Sequence, residues 1–280
     1  MRNLIQKKDK IACKTYSYWI YHPEIASHYK PGQFVIIRVT KKGERIPLTI
    51  VETNKKRDSF RIIFQVVGIT TNLLSQLETN DRILDVLGPL GNEVDIPNSV
   101  KNILFVGGGI GIAPLYSKIE EFIQKRKLAG TVVLGAKSKY YLILENKIRS
   151  ITDNVCIRTD DGSKGKKGFV TEEVREILQN NKNEVDLIIA VGPIPMMKKT
   201  VEIAEKYNLN ILVGLNTLMI DGTGMCGGCR ISYDGKTKFT CVDGPVFDGK
   251  KVDFDELFKR NHQYDEHECK VSEKYNLSER

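Results

Sequence analysis

Near residue 100 the hydrophobic pattern of this chain changes period, and that change narrows the folds open to it. Before it, QFVIIRVT (33–40), IPLTIVET (46–53) and SFRIIFQVV (59–67) are β-branched runs separated by the polar turns KKGER and NKKRD. Short strands joined by tight polar turns predict an antiparallel barrel. From Asn102 onward, apolar strands alternate with amphipathic helices: NILFVGGGIGIAPLYSKIEEFIQKRK, GTVVLGAKS, VCIRTDDGS, TEEVREILQNN and VDLIIAVGPIPMMKKTVEIAEKYN. Such alternation predicts a doubly wound parallel sheet. The expected fold is a β barrel followed by an α/β domain, with the Gly/Pro-punctuated stretch DVLGPLGNEVDIP (85–97) as connector. TTNLLSQLET (70–79) predicts a short helix capped by its first threonine, and VDFDELFKRNHQYDEHE predicts a helix near the C-terminus.

A chain of 280 residues divides into two or three domains, here expected at 1–98, 99–213 and 214–280. The net charge of +8 is spread along the chain with no basic block interleaved with aromatics, which argues against a nucleic-acid partner. The same diffuse excess suits anionic nucleotides or an acidic electron-transfer partner. No apolar run approaches a membrane span and no signal core follows the N-terminus, so a cytoplasmic, membrane-free protein is expected. In that reducing setting the six cysteines do not read as a disulfide framework.

Three of those cysteines lie in IDGTGMCGGCRISYDGKTKFTC, as Cys226, Cys229 and Cys241. Plant-type [2Fe–2S] loops space their ligands C-x4-C-x2-C with a distant fourth. Counting back from Cys226 places Asp221 where the first thiolate would be. A redox CxxC and a zinc site of three thiolates and a carboxylate use the same residue types. Gly222, Gly224, Gly227 and Gly228 crowd the loop and let it bend around a cluster with its amides facing sulfur.

Other motifs mark cofactor sites. In VGGGIGIAP, glycines after a buried strand let backbone approach a pyrophosphate at a helix N-terminus, with Gly108, Gly109 and Gly111 as candidates. AVGPIPMMKK repeats the device with Gly192, Pro193 and Met196. Asp160 and Asp161 end another strand and suit a ribose, which leans toward NAD, whereas Lys137 and Lys139 suit a 2′-phosphate. In RIPLTI, Arg45, Pro47 and Thr49 alternate onto one strand face around Leu48. The guanidinium suits a diphosphate and the threonine hydroxyl a flavin edge. VVGITTNLL, with Val66, Gly68, Thr70 and Thr71, offers a second diphosphate cradle. Cys13 and Cys156 read as small buried hydrophobes, and His262, His267 and Cys269 as a solvated polar helix end.

The Arg-x-Pro-x-Thr strand, the Gly-x-Thr turn, LGPLGN, GGGIGIAP and the GPxxMM turn follow in the order found in the ferredoxin–NADP reductase superfamily, which residues 1–213 resemble. With the cysteine loop appended, the chain looks like the electron-transfer subunits of the dihydroorotate dehydrogenase type. It is more similar to the small subunits of NADH-dependent ferredoxin:NADP oxidoreductase and sulfide dehydrogenase, whose first cluster ligand is an aspartate. The resemblance implies an FAD-binding barrel (1–98), an NAD(P)-binding α/β domain (99–213) and a [2Fe–2S] domain (214–280) ligated by Asp221, Cys226, Cys229 and Cys241. FAD would lie between the first two domains. It further implies a larger flavin and iron–sulfur partner subunit, ferredoxin reached through the complex, and electron bifurcation. The other readings are the electron-transfer subunit of a dihydroorotate dehydrogenase and a zinc-stabilised nucleotide-binding module without redox activity.

Overall fold

The computed structural model describes residues 2–181 and 184–263. Six strands come first: β1 (Leu4–Ala12), β2 (Thr15–Tyr21), β3 (Phe34–Arg38), β4 (Arg45–Asn54), β5 (Ser59–Gln65) and β6 (Asp85–Leu90). Helices α1 (Pro23–His28) and α2 (Ile69–Gln76) lie among them. The strands form one antiparallel sheet in the order β1-β2-β5-β4-β3-β6. It curls toward closure, because the Ile5 amide donates to Asp81 O and the Ile83 amide to Asn3 O, joining the β1 edge to the segment leading into β6. Ile5, Tyr18, Ile20, Val35, Ile37, Ile50, Phe60, Ile62 and Phe64 fill the interior.

Beyond β2 and α1, which no motif announced, sequence and structure differ at three places in this half. The lysine-rich β1 reads poorly as a strand because it lies at the sheet edge and buries only Ile5. Residues 85–90, expected as connector, form β6; Pro89 is tolerated because β6 is also an edge strand. Helix α2 starts at Ile69, one residue before the expected threonine cap. There the Thr71 hydroxyl accepts from the Val67 and Gly68 amides (3.0 Å each), and Thr70 Oγ1 donates to Glu44 instead.

The second set is β7 (Asn102–Gly108), β8 (Ala129–Ala136), β9 (Val155–Thr159), β10 (Lys166–Lys167), β11 (Leu187–Val191) and β12 (Asn210–Gly214). Their helices are α3 (Ile112–Ile119), α4 (Glu145–Arg149), α5 (Val170–Asn181) and α6 (Ile194–Lys206). After them come β13 (Arg230–Tyr233), β14 (Lys236–Phe239), α7 (Thr240–Asp243), β15 (Val246–Asp248) and α8 (Phe254–Asn261). The α/β sheet runs β10-β9-β8-β7-β11-β12-β15. All neighbours pair parallel except β15, which is antiparallel to β12.

The chain divides into two compact units. One holds the barrel through Asn92, then Asn216–Asp243 and the described residues from Asp253 onward; the other holds Glu93–Leu215 and Gly244–Val252. The segment carrying the cysteines therefore packs with the barrel, and only the short β15 excursion belongs to the α/β unit.

Within the α/β unit a buried ion network ties β9 to α5. Arg158, 5% exposed at its side chain, donates to Glu173 and Glu172 (2.8 Å each) and also meets Glu176. Burial is the largest single influence and lowers the guanidinium pKa, but the bonds and charges of Glu173 and Glu176 together outweigh it and raise the pKa. Removing Arg158 leaves the buried Glu173 with the exposed Lys166 (3.1 Å) as its remaining cation. Arg158→Ala is expected to cost about 3 kcal/mol, read as a lower denaturation midpoint.

Candidate functional site

The strand order creates a nucleotide crevice before any ligand is considered. From β7 the chain winds outward through β8 and β9, then returns to add β11 on the other side of β7. The connections leave the sheet in opposite directions there, opening a crevice at the carboxyl ends of β7 and β11. Both glycine turns stand at those ends. Gly107 and Gly108 finish β7, and Gly192 and Pro193 follow β11.

Each glycine of the first turn answers a different demand. Gly111 opens α3 against β11: a Cβ there would sit 2.5 Å from Val191 O and 2.7 Å from Gly192 Cα. At Gly108 a Cβ would stand 2.5 Å from Met196 Sδ and 3.2 Å from Pro193 Cδ, so the two turns touch. Gly109 has φ +56°, a left-handed backbone that favours glycine, yet a Cβ there would meet no atom within 4 Å. Its backbone is bare toward the open side of the crevice.

The acidic pair follows β9, and its loop is stitched to the loop after β8. The Asp160 amide donates to Ala136 O (3.1 Å), the Asp161 amide to Lys137 O (3.3 Å), and the Lys139 amide to Ser163 Oγ (2.8 Å). The Asp161 carboxylate accepts from the Ser163 amide (2.9 Å), and hydrogen bonding from Ser163 lowers its pKa. The acids and Lys137/Lys139 are thus neighbours.

In the barrel unit, Ile46, Leu48 and Ile50 turn inward, leaving Arg45, Pro47 and Thr49 on the outer face of β4. Leu48 and Val66 pack against the barrel core, so only their backbones face outward. Arg45 is exposed. Opposite Pro47 and Thr49 on β3 stand Ile36 and Phe34.

Those two residues carry the second core of this unit. Phe34 and Ile36 pack with Met219, Cys229 and Cys241, joined by Leu90 and Phe239. The cysteine segment therefore lies on the outer face of β3 and β6, one strand away from Arg45, Pro47 and Thr49. A Cβ at Gly222 would fall 2.7 Å from Ile36 Cδ1 and from Leu90 Cδ1, so a bare backbone seats the loop. This packing was missed in the sequence reading. Its signal is the unbroken run FVII, because a strand with one buried face would alternate.

Cys229 and Cys241 are buried with their sulfurs 3.2 Å apart, whereas Cys226 is exposed. Burial, reinforced by the Cys229 thiol, pushes the Cys241 thiol up to about 12. Thr240 fixes the pair: its amide and its Oγ1 both donate to Cys229 O (3.1 and 3.2 Å), and the hydroxyl also meets Thr217. Asp221 accepts from the Thr223 amide (2.9 Å) at Oδ1 and from the Cys226 amide (2.6 Å) at Oδ2. The Thr223 amide is the main cause holding its carboxyl below the usual range. Among the described residues, no three His, Cys, Asp or Glu side chains stand at mutual metal-binding distance. The structure brings Cys229 to Cys241 and Asp221 to the backbone of Cys226, as two pairs; Asp221, Cys226 and Cys229 lie in the glycine-rich loop, and Cys241 on α7. Two sulfurs each about 2.3 Å from one tetrahedral metal lie about 3.8 Å apart, so the buried pair at 3.2 Å would have to open by about 0.6 Å to hold one metal atom.

The remaining expectations resolve simply. Cys13 lies in the turn after β1 and Cys156 in β9, both half-buried rather than buried. His262 stacks on Phe258 at the end of α8. His267 and Cys269 lie outside the described residues.

Comparison with known proteins bears on both units. Residues 216–253 match the iron–sulfur cluster binding domain of dihydroorotate dehydrogenase B, and residues 105–202 match an oxidoreductase NAD-binding domain. A Thermotoga maritima protein named as a homolog of the dihydroorotate dehydrogenase B (NAD(+)) electron transfer subunit is 47% identical over 95% of this chain and 93% of its own length. The chain belongs to that electron transfer subunit family. The Fusobacterium nucleatum electron transfer subunit of the family is 31% identical over 90% of this chain and 97% of its own.

Among solved structures, NADH-dependent reduced ferredoxin-NADP oxidoreductase, described for flavin-based electron bifurcation, superposes with TM-score 0.90 at 44% identity, covering 99% of both chains. Phthalate dioxygenase reductase shares the fold at TM-score 0.61 and 16% identity, over 83% of this chain and 86% of its own. This family member is an oxidoreductase subunit with an NAD-binding domain and an iron–sulfur-binding domain on a reductase fold. The fold and family matches support FAD, an iron–sulfur cluster and NAD(H) as its cofactors. Among the described residues no helix is long and apolar enough to cross a membrane.

Proposed function

We propose that this chain is the electron-transfer flavoprotein subunit of an electron-bifurcating NADH-dependent ferredoxin:NADP oxidoreductase. When bound, NAD(H) and FAD would supply hydride chemistry, and a [2Fe–2S] cluster would supply single-electron transfer. Residues 1–98 would hold FAD, 99–213 NAD(H) or NADP(H), and 214–280 the cluster. What carries this reading is the seating of the cysteine segment on β3, beside the outward face of β4. That arrangement puts the cluster ligands and the flavin-facing residues on one rigid barrel.

The chain's own residues then have distinct tasks. Arg45 would clamp the FAD diphosphate, Thr49 would meet the ring edge, and Pro47 would hold the strand between them. Gly68, Thr70 and Thr71, with the backbones of Leu48 and Val66, would complete the flavin site. Gly108, Gly109 and Gly111 would bring backbone to the dinucleotide pyrophosphate. Gly192, Pro193 and Met196 would close the other wall, and Asp160 and Asp161 would meet a ribose. Cys229 and Cys241 would hold one iron, Asp221 and Cys226 the other.

The relatives' description as electron transfer subunits supports a larger partner, which we take to be a flavin and iron–sulfur subunit that links the chain to ferredoxin. The cysteine loop offers it an apolar rim, since Leu218, Ile220, Met225 and Val242 are exposed and Met225 is 89% so. A dihydroorotate dehydrogenase partner is the second reading, favoured by the relatives' names. Identity alone does not separate the two, since the bifurcating enzyme is 44% identical over 99% of both chains and the Thermotoga protein with the dihydroorotate dehydrogenase name is 47% identical. Asp221, where the resemblance sets the dihydroorotate dehydrogenase type apart by a cysteine, favours the first.

The test is anaerobic purification with visible spectroscopy and iron, zinc and flavin analysis, followed by identification of the co-purifying subunit. Zinc without visible absorbance would overturn the redox reading. For the flavin site, Arg45→Ala removes a charge-assisted contact of about 1.5–3 kcal/mol. It is expected to lose FAD on gel filtration, and full flavin occupancy would refute the assignment.

A further inference from the structure

Two arginines that the cluster and cofactor assignments do not use converge on the backbone of the cysteine loop. Arg230 donates through Nη1 to Gly227 O and Arg260 through Nη2 to Gly228 O, each at 3.3 Å. They come from different elements, Arg230 from β13 and Arg260 from α8. Both line one small cavity with Thr217, Leu218 and Leu257. Helix α8 is fastened to the same segment by Asn261, whose Nδ2 donates to Asn216 O (2.8 Å), and by the buried Leu257. Arg260 is therefore delivered to the loop by an anchored helix.

The bonds of one peptide unit give these arginines a chemical role. The carbonyl of the Gly227–Gly228 peptide accepts from Arg230, while the amide of that same peptide donates to Cys226 Sγ (3.4 Å). A cation at the carbonyl end polarises the peptide and strengthens its N–H toward the sulfur. The Arg260 guanidinium acts on the carbonyl of the next peptide, between Gly228 and Cys229. Hydrogen bonds to the sulfurs and local charge are among the factors that set an iron–sulfur potential.

We propose that Arg230 and Arg260 form a cationic clamp that holds the Gly227–Gly228 amide on the Cys226 sulfur and raises the reduction potential of the cluster. Reduction adds negative charge to the cluster, so a nearby positive charge and a polarised N–H both favour the reduced form. The two residues act through the loop backbone and are positioning residues. The inference rests on the cluster reading above, and the experiment separates the two.

The holo-chain is prepared as wild type, Arg230→Gln, Arg260→Gln, Arg260→Lys and the double glutamine variant. Iron content, circular dichroism and the midpoint potential by paramagnetic-resonance-monitored titration are measured for each. Each glutamine is expected to shift the midpoint negative, and the double variant to shift the reduction equilibrium at least tenfold, 59 mV for a one-electron couple. Arg260→Lys keeps the charge and is expected to retain most of the wild-type value. If the double variant cannot hold iron, the single exchanges decide, by a negative midpoint shift at full iron content. Glutamine variants with wild-type iron and an unmoved midpoint would overturn the clamp while leaving the cluster reading intact. A wild-type chain without iron would overturn both.

Discussion

Gly109→Val is expected to abolish reduction of the bound flavin by NAD(P)H while leaving the flavin's absorbance in place. The position has φ +56°, and a β-branched residue resists that backbone by roughly 1–2 kcal/mol. No protein atom lies within 4 Å of the new Cβ, so the side chain has room on the protein side. The variant should therefore fold, and its branch would project into the side from which a pyrophosphate reaches the amides and the start of α3. Gly111→Ala is the informative contrast. Its Cβ would strike Val191 O at 2.5 Å, a backbone atom that cannot swing aside. Loss of stability is the expected outcome there, visible as a lower melting temperature even without nucleotide. Stopped-flow reduction of flavin in Gly109→Val at the wild-type rate would move the pyrophosphate site elsewhere.

The α/β half was legible because its pattern is redundant. β7 and β11 are continuous apolar runs ended by glycine, and each feeds an amphipathic helix. Strand–helix alternation then leaves few orders for the sheet, and the position of the crevice follows from them. The barrel was legible at β3, β4 and β5, where β-branched residues concentrate. It was not legible at β1, where lysines shield an edge, or at β6, where Gly88 and Pro89 look like a break. β15 has only three residues and joins the α/β sheet from the far side of the cysteine segment. Its membership depends on a long-range pairing with β12 that leaves no local pattern.

The candidate site shows the same division. Spacing pointed to four candidate cluster ligands, but not to the surface that seats them. Phe34 and Ile36 reach the cysteine segment from nearly two hundred residues away in the chain. Arg230 and Arg260 were likewise invisible in sequence, since a charged residue announces its exposure and not the carbonyl it finds. Asp221 lies between these cases: its spacing makes it a candidate ligand, and its bonds in the structure mark it as a tie within the loop.

Those two roles of Asp221 are compatible, and their separation is the second large effect expected. A carboxylate has about four lone-pair sites on two oxygens, and the Thr223 and Cys226 amides use two of them. Capacity remains for a metal, and its lowered pKa keeps the group anionic at neutral pH, as a ligand must be. Asp221→Ala removes tie and ligand together and is expected to lose the cluster or leave it labile, with FAD and NAD(P)H binding retained because those residues lie elsewhere. Asp221→Asn keeps an acceptor oxygen for the loop but no negative charge, so a labile cluster in this variant would point to ligation rather than loop shape. Asp221→Cys replaces a hard carboxylate by a thiolate. It is expected to keep the cluster, with an altered midpoint and a spectrum closer to that of an all-cysteine ferredoxin. Iron analysis and paramagnetic resonance decide among these outcomes. An Asp221→Ala protein with wild-type iron content and an unchanged resonance signal would leave Asp221 only its two amide bonds, and the fourth ligand would have to come from solvent or from outside the loop.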